Sequence, residues 1–271
     1  MKIKNVIKKK KFSIPVLLLI MLIVLGFYGP LYPWSPVKIS YKKTDLEMAS
    51  VYVKDKGNWN PIIYQVDEIM KAEEDFHGLK YKSRIKIFCV ADSGDMKRFV
   101  PYLEMSDGAV NLGILRLIFL GPVTRTASFG LEAFLKHELS HALLVQNTSI
   151  KKALQIHRQS WLAEGTAVFY SGLFFYNKCS FAKICRQMDL KFDSIYPGRA
   201  LDFEKGEMKF KYSLYGFFVQ FLIEKYGMDM FREYVKEYIK EPENYKKFCL
   251  EIYGESFKIM LSRFEKYVYG T

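Results

Sequence analysis

Histidine and cysteine are scarce in this chain of 271 residues, four of each, and no two cysteines form a Cys-x-x-Cys pair. A cysteine-built zinc cluster is therefore excluded, and any metal must be held by histidine and carboxylate. Internal repeats and low-complexity tracts are also absent. Acidic residues are outnumbered 29 to 41 by Lys and Arg, a net charge of +12. Such a surplus points to nucleic acid or an anionic membrane only if it is spread over the fold. It is not: six lysines lie in 'MKIKNVIKKKK', which leaves +6 over the other 260 residues, ordinary for a surface. No nucleic-acid partner is expected.

The only long uncharged apolar run is 'FSIPVLLLIMLIVLGFY', Phe12 to Tyr28, directly behind those lysines. Its length lies between that of a signal-peptide core and a bilayer span. No small-x-small cleavage site follows, and 'GPLYPWSP' brings Tyr32 and Trp34 to where interfacial aromatics would sit. The expected organisation is a cytoplasmic basic tail (1–12), a transmembrane anchor (13–29), a polar connector (30–58) and one domain (59–271). The alternative is a cleaved signal. By the positive-inside rule the domain faces the outside, with the lipid bilayer as one partner.

Half the residues are hydrophobic and 26% charged, enough for a sizeable core. 'PIIYQVDEIMKAEEDFHG' predicts an amphipathic helix closed by Gly78, 'SRIKIFCVA' a strand, 'DSGDMKRFVPYLE' a short helix and 'NLGILRLIFLG' a second strand. 'LEAFLKHELSHALLVQ' has the three-and-four apolar spacing of a helix. A basic loop follows, and Ser160 is a candidate N-cap for a helix over 'WLAEGTAVFYSGLFFY'. From about Lys209 onward the pattern is helical, with Gly227 closing 'YSLYGFFVQFLIEKYG'. Cys89 and Cys249 lie in apolar segments that suit free buried thiols. Cys179 and Cys185 are near enough in sequence to invite a disulfide, and that pairing stays open.

The chemistry concentrates in 'FLKHELSHALL'. On a helix His137 and His141 project from one face, one turn apart, so both imidazoles can reach one metal. Glu138 sits about 100° around the axis, poorly placed to ligate but able to address a water there. Further on, 'WLAEG' puts Glu164 among apolar neighbours, where a carboxylate either protonates or finds a cation. Two histidines and this carboxylate make a three-ligand set that leaves one position open, as catalytic zinc requires. The bland alternative is a helix bearing two ordinary histidines, and an exposed glutamate. A protease acting within the bilayer is excluded, since the motif is over a hundred residues from the apolar run.

'HELSH' followed by 'WLAEG' resembles the gluzincin zinc metallopeptidases, the thermolysin-like clan, particularly its peptidase-MA-type members. The similarity covers roughly residues 84 to 227. It implies an α+β, zincin-like metallopeptidase domain: a small N-terminal α/β part with a mixed sheet, then a mainly helical C-terminal part, behind the single N-terminal helix. It implies one Zn2+ per chain on His137, His141 and Glu164, with Glu138 as the base that activates zinc-bound water. It also implies an oxyanion-stabilising tyrosine, best matched by Tyr212 and next by Tyr215. 'NLGILRLIFL' would be the edge strand that pairs with an extended peptide. The clan's aminopeptidases carry a glutamate on that strand to hold the substrate amine, whereas 'DGAVNLG' has none, and Asp107 is the nearest substitute. The expected activity is hence that of a membrane-anchored endopeptidase acting on peptides or proteins. The rival is a catalytically silent zincin-fold binding module. His157, seven residues before Glu164, reads as a solvated loop histidine.

Overall fold

The alternation in 'SRIKIFCVA' belongs to the middle strand of a five-stranded sheet whose two faces are both covered. The computed structural model describes residues 3–29, 31–35, 40–54, 59–100, 108–159, 161–188, 192 and 207–270. In chain order the elements are α1 (Ile3–Tyr28), β1 (Tyr41–Asp45), β2 (Ala49–Lys54), α2 (Asn60–His77), β3 (Ile85–Cys89), α3 (Ser93–Phe99), β4 (Ala109–Leu112), β5 (Leu117–Leu120), α4 (Val123–Thr126), α5 (Gly130–Gln146), α6 (Ile150–Gln159), α7 (Trp161–Ser171), α8 (Lys178–Gln187), α9 (Glu207–Tyr226), α10 (Met228–Lys240), α11 (Tyr245–Tyr253) and α12 (Phe257–Tyr269). The class is mixed α+β, with the strands in the N-terminal half and helices thereafter.

The sheet order is β1-β2-β3-β5-β4, parallel at β2–β3 and β3–β5 and antiparallel at both outer pairs. Because strand side chains alternate between faces, Ile85, Ile87, Cys89, Ile118 and Leu120 face one core. Phe88, Leu117 and Phe119 face the other. Leu135, Leu139 and Ala142 of α5 fill the first core together with α2 residues Ile62, Val66 and Met70. Leu143 and Leu144 of α5 enter a separate, aromatic-rich core formed by α7 to α12. The motif helix therefore bridges both halves of the fold, fixed by apolar contacts at either end.

Several expectations are corrected. The connector 30–58 contains β1 and β2, a hairpin that starts the sheet. The lysines of 'YKKTD' hide its alternation, yet Tyr41 is buried and Ala49, Val51 and Tyr52 are core residues. 'NLGILRLIFLG' is two strands: a 3-10 turn over Gly113–Leu115 separates β4 from β5, and Arg116 adopts φ 58 to reverse the chain. The basic loop after α5 is helix α6, whose Ala153 and Ile156 are buried at helical spacing. Among the described residues no helix is long and apolar enough to cross a membrane, so the expected 13–29 span is not found. All four cysteines are free, with Cys179 exposed and the others buried. Asp107 and Ser160, and the side chain of His157, lie outside the described residues. Gly78 does close α2, in the left-handed conformation that glycine takes without strain.

Candidate metal centre

Helix geometry brings the two histidines together as expected: His137 Nε2 and His141 Nε2 are 3.1 Å apart. Glu164 Oε2 lies 3.4 Å from the first and 3.3 Å from the second. That oxygen is buried and, despite its proximity to both rings, makes no hydrogen bond. Three donors on one tetrahedral zinc, each about 2.0–2.1 Å from the ion, would stand about 3.3 Å apart. The observed separations match that spacing, and an N, N, O donor set with an unpartnered oxygen suits zinc, so the residues fit the group. Among the described residues this is the one His/Cys/Asp/Glu group positioned for a metal.

Why Glu164 reaches this point follows from its neighbour. A Cβ on Gly165 would lie 2.5 Å from the Tyr215 carbonyl oxygen and 2.8 Å from Val219 Cγ2. The reciprocal glycine on α9, Gly216, faces Val168 Cγ1 at 2.6 Å from its would-be Cβ. Helices α7 and α9 thus meet backbone to side chain across a pair of glycines, which sets Glu164 beside Tyr212. Replacing Gly165 by Ala forces the helices apart. We expect a loss of about 1–3 kcal/mol, read as a lower midpoint in guanidinium titration; an unchanged midpoint would contradict this packing.

Side chains from the sheet half hold the motif helix in place. The Asn111 amide of β4 donates to the Glu138 backbone carbonyl, and the Tyr81 hydroxyl donates to the Leu139 carbonyl at 3.0 Å. Ser140 Oγ and His77 Nε2 share a 2.8 Å hydrogen bond, and Tyr81 also donates to Glu73 Oε2 at 2.7 Å. Glu73, His77 and Ser140 are fully buried, so this polar cluster sits behind the site and out of reach of any ligand.

Burial pushes His77 down to about 3, with the charge of His141 adding to it. Burial likewise raises Glu73 well above its usual range, opposed by the Tyr81 hydrogen bond. His77 is therefore neutral at pH 7. For His77 the linkage has a definite sign, because the folded state holds its proton less tightly than the unfolded state does. Its contribution is intact above the unfolded value of 6.5 and is lost as pH falls toward about 3. Between pH 7 and 5 the loss amounts to about 2 kcal/mol. His77→Gln should lose that much less over the same interval in denaturant titrations with a metal chelator present. Equal losses would contradict a neutral, buried His77.

At the site itself, burial raises Glu138, while the two imidazoles pull it down and Glu164 adds to the rise; the net shift is upward. Burial would also raise Glu164, but the charges of His141 and His137 outweigh it and hold the carboxyl well below its usual range. For His141, burial favours the neutral ring. Glu164 and Glu138 overcome that effect and raise it to about 9. Tyr212 is pushed well above its ordinary value by burial and by the Glu164 and Glu138 carboxylates, so its hydroxyl keeps its proton and can donate it.

A cavity of about 230 Å³ opens onto these groups, lined among others by Asn111, Gly113, His137, Glu138, His141, Glu164 and Tyr212. The Tyr212 ring centroid is 5.5 Å from that of His137. Tyr215, the second candidate, is buried in the helical core with its backbone against Gly165 and does not line the cavity. Sequence reasoning missed Asn111 and the pinning residues Tyr81 and His77. Their partners are 27, 58 and 63 positions away, and nothing local marks them. Gly165 and Gly216 carried a signal, a glycine beside the ligand and another beside the tyrosine.

No family model matches the sequence, and no curated protein matches it significantly. Solved structures do resemble the fold. One is a two-domain M1 zinc metallopeptidase variant bound to L-arginine, similar at TM-score 0.53 and 12% identity over 83% of this chain and 51% of that one. Another is a two-domain M1 zinc metallopeptidase variant bound to L-tryptophan, at TM-score 0.50 and 12% identity over 83% and 50%. The chain spans about half the length of these structures. At such identity the likeness establishes a zinc-metallopeptidase type of fold.

Proposed function

We propose that this chain, folded like a zinc metallopeptidase, is a zinc-dependent peptidase that works at a membrane surface and cleaves internal peptide bonds. The observation that carries the reading is the convergence of His137, His141 and Glu164 on the wall of a cavity that Glu138 and Tyr212 also line. A zinc ion held by those three residues would polarise a scissile carbonyl and acidify a water. Glu138, beside the ligands but outside the donor triangle, accepts a proton from the attacking water and passes it to the leaving amine. Its upward shift brings it nearer to neutrality in proton affinity, which suits an acid and base working in turn. Tyr212, protonated at any ordinary pH, donates to the oxygen on which negative charge grows.

The preference for internal bonds rests on the same lining. Among the described residues the cavity's carboxylates are Glu138 and Glu164, both assigned to the chemistry, and β4 contributes Asn111. Among the described lining residues no further carboxylate is left to pair with a free amino terminus. Association with a bilayer is supported by α1, where Ile14 and the residues from Val16 to Val24 are exposed, a large apolar surface to leave in water. The amino acids bound in the similar structures support a peptide-like substrate.

One experiment addresses both parts. The full chain, mixed with anionic phospholipid vesicles, is floated on a density gradient, and the floated fraction is assayed with internally quenched peptides blocked at both ends. Co-flotation, hydrolysis, arrest by a chelator and recovery with zinc are expected. Failure to float removes the membrane reading; zinc-loaded protein that cleaves nothing removes the peptidase reading and leaves a silent binding module.

A further inference from the structure

We infer that the end of the sheet carrying the β4–β5 turn, together with the start of α6, is a docking face for an anionic lipid bilayer. The inference rests on the membrane part of the proposed function and states which side of the domain lies on the lipid; it needs no peptidase activity. A shallow depression at this end is lined by Lys82, Ile114, Arg116, Gln146 and Ile150 among others, and the lining holds two cations and no Asp or Glu. Lys151 adds a third exposed cation beside Ile150. The acids of the β1–β2 turn are already engaged, Asp45 with Lys43 and Arg84, and Glu47 with Lys71. The cations of the depression therefore have no acid in their own lining, and anionic headgroups would supply the missing charge.

Between these cations stand bulky apolar side chains left in water. Ile114 and Leu115 are exposed at the tip of the turn, and Ile150 and Leu154 on α6. Ala153 and Ile156 bury the inner face of α6, yet two of its three exposed described side chains, Ile150, Lys151 and Leu154, are apolar. Ile150 and Leu154 are one turn apart and project from one face. Outward aliphatics beside lysine are the make-up of a helix lying in a membrane interface. Single exposed apolar residues need no explanation, but four gathered among cations mark a binding surface.

Position in the fold points to the same partner. The apolar helix α1 is followed by a 3-10 turn over Tyr32–Trp34. Tyr32 is held in the core against Tyr41 and Phe99, and the Pro33 carbonyl accepts from Lys86 Nζ at 3.4 Å. The backbone N–H of Lys86 donates to the Arg116 carbonyl at 2.9 Å. One residue of β3 thus links the segment that follows α1 to the β4–β5 turn. Leu31 and Trp34, both exposed, accordingly sit at the same end of the sheet as Ile114 and Leu115. The metal cavity shares Gly113, Val145 and Thr148 with the depression, so it opens beside this face, within reach of polypeptide segments next to the bilayer.

The test puts an environment-sensitive fluorophore on Leu115→Cys of the full chain in a Cys179→Ser background, the other three cysteines being buried. Tyr64→Cys is the reference, since Tyr64 is 74% exposed near the start of α2. That start lies at the opposite end of the sheet: Arg125 stacks on Trp59 and donates to the Ala91 carbonyl beyond the far end of β3. On vesicles of equal parts phosphatidylcholine and phosphatidylglycerol, quenching by acrylamide should fall about 5-fold or more at position 115 and stay unchanged at position 64. Lys82→Gln combined with Lys151→Gln removes two exposed cations, each worth about 5-fold at an anionic surface. The docked-to-undocked ratio should drop by about 10- to 30-fold, read as quenching that returns toward its value without vesicles. Floated protein with position 115 as open as position 64 would overturn this inference alone, whereas protein that fails to float would overturn it together with the membrane reading. Shielding already present without vesicles would overturn it in favour of a second copy covering the face. Shielding that the double variant leaves unchanged would overturn the assignment to an anionic surface.

Discussion

Glu138→Gln should lower kcat for peptide hydrolysis by about 10³-fold or more while zinc affinity stays within about 2-fold of the parent. Glutamine keeps the shape and the backbone carbonyl that Asn111 holds, but its amide cannot take a proton from water. None of the three converging donor atoms belongs to residue 138, so the ligand set is intact. The two readouts test different statements. Turnover within 10-fold of the parent would show that another group moves the proton; lost zinc would show that Glu138 belongs to the ligand shell.

The second large effect falls on the metal itself. Glu164→Ala removes the sole carboxylate of the donor set and leaves two neutral imidazoles from one helix. Even outer-shell partners of a zinc ligand typically change affinity by 10- to 100-fold, so loss of a ligand should exceed the upper end, about 10²-fold or more. Chelator competition reads this directly. Glu132→Ala, which deletes an exposed carboxylate paired with Lys136 on the same helix as the histidines, is the matching control and should not change affinity. If the two variants bind zinc alike, Glu164 is not a ligand.

What could be read from the sequence is what the chain writes locally. The spacing of His137 and His141, the helix ends at Gly78 and Gly227, and the apolar 'IKIFC' strand depend on neighbours within a few residues. Glu164 was found because a carboxylate among apolar residues asks for a cation. The hairpin β1–β2 was hidden because its outer strand, 'YKKTD', is polar at every position but Tyr41. Helix α6 was hidden because lysines open a short stretch whose buried residues, among the described side chains, are Ala153 and Ile156. The break between β4 and β5 depends on Arg116 entering a conformation that its residue type does not announce. The pins on the motif helix from Asn111, Tyr81 and His77 exist only once the sheet half is folded against α5, and no local pattern encodes them. Resemblance ranks Tyr212 ahead of Tyr215, but nothing local shows which of them faces the site. Packing separates them, with Tyr215 in the helical core and Tyr212 on the cavity wall.

The central claim is that two histidines and Glu164 form a single zinc site that uses none of the four cysteines. The most direct measurement is zinc content together with X-ray absorption at the zinc edge on the intact, purified chain. The account predicts about one zinc per chain, coordinated by two imidazoles and light oxygen donors, with no sulfur shell and with zinc content and the imidazole signal both reduced in His141→Ala. A chain that binds no zinc, or a spectrum with sulfur in the first shell, would contradict it.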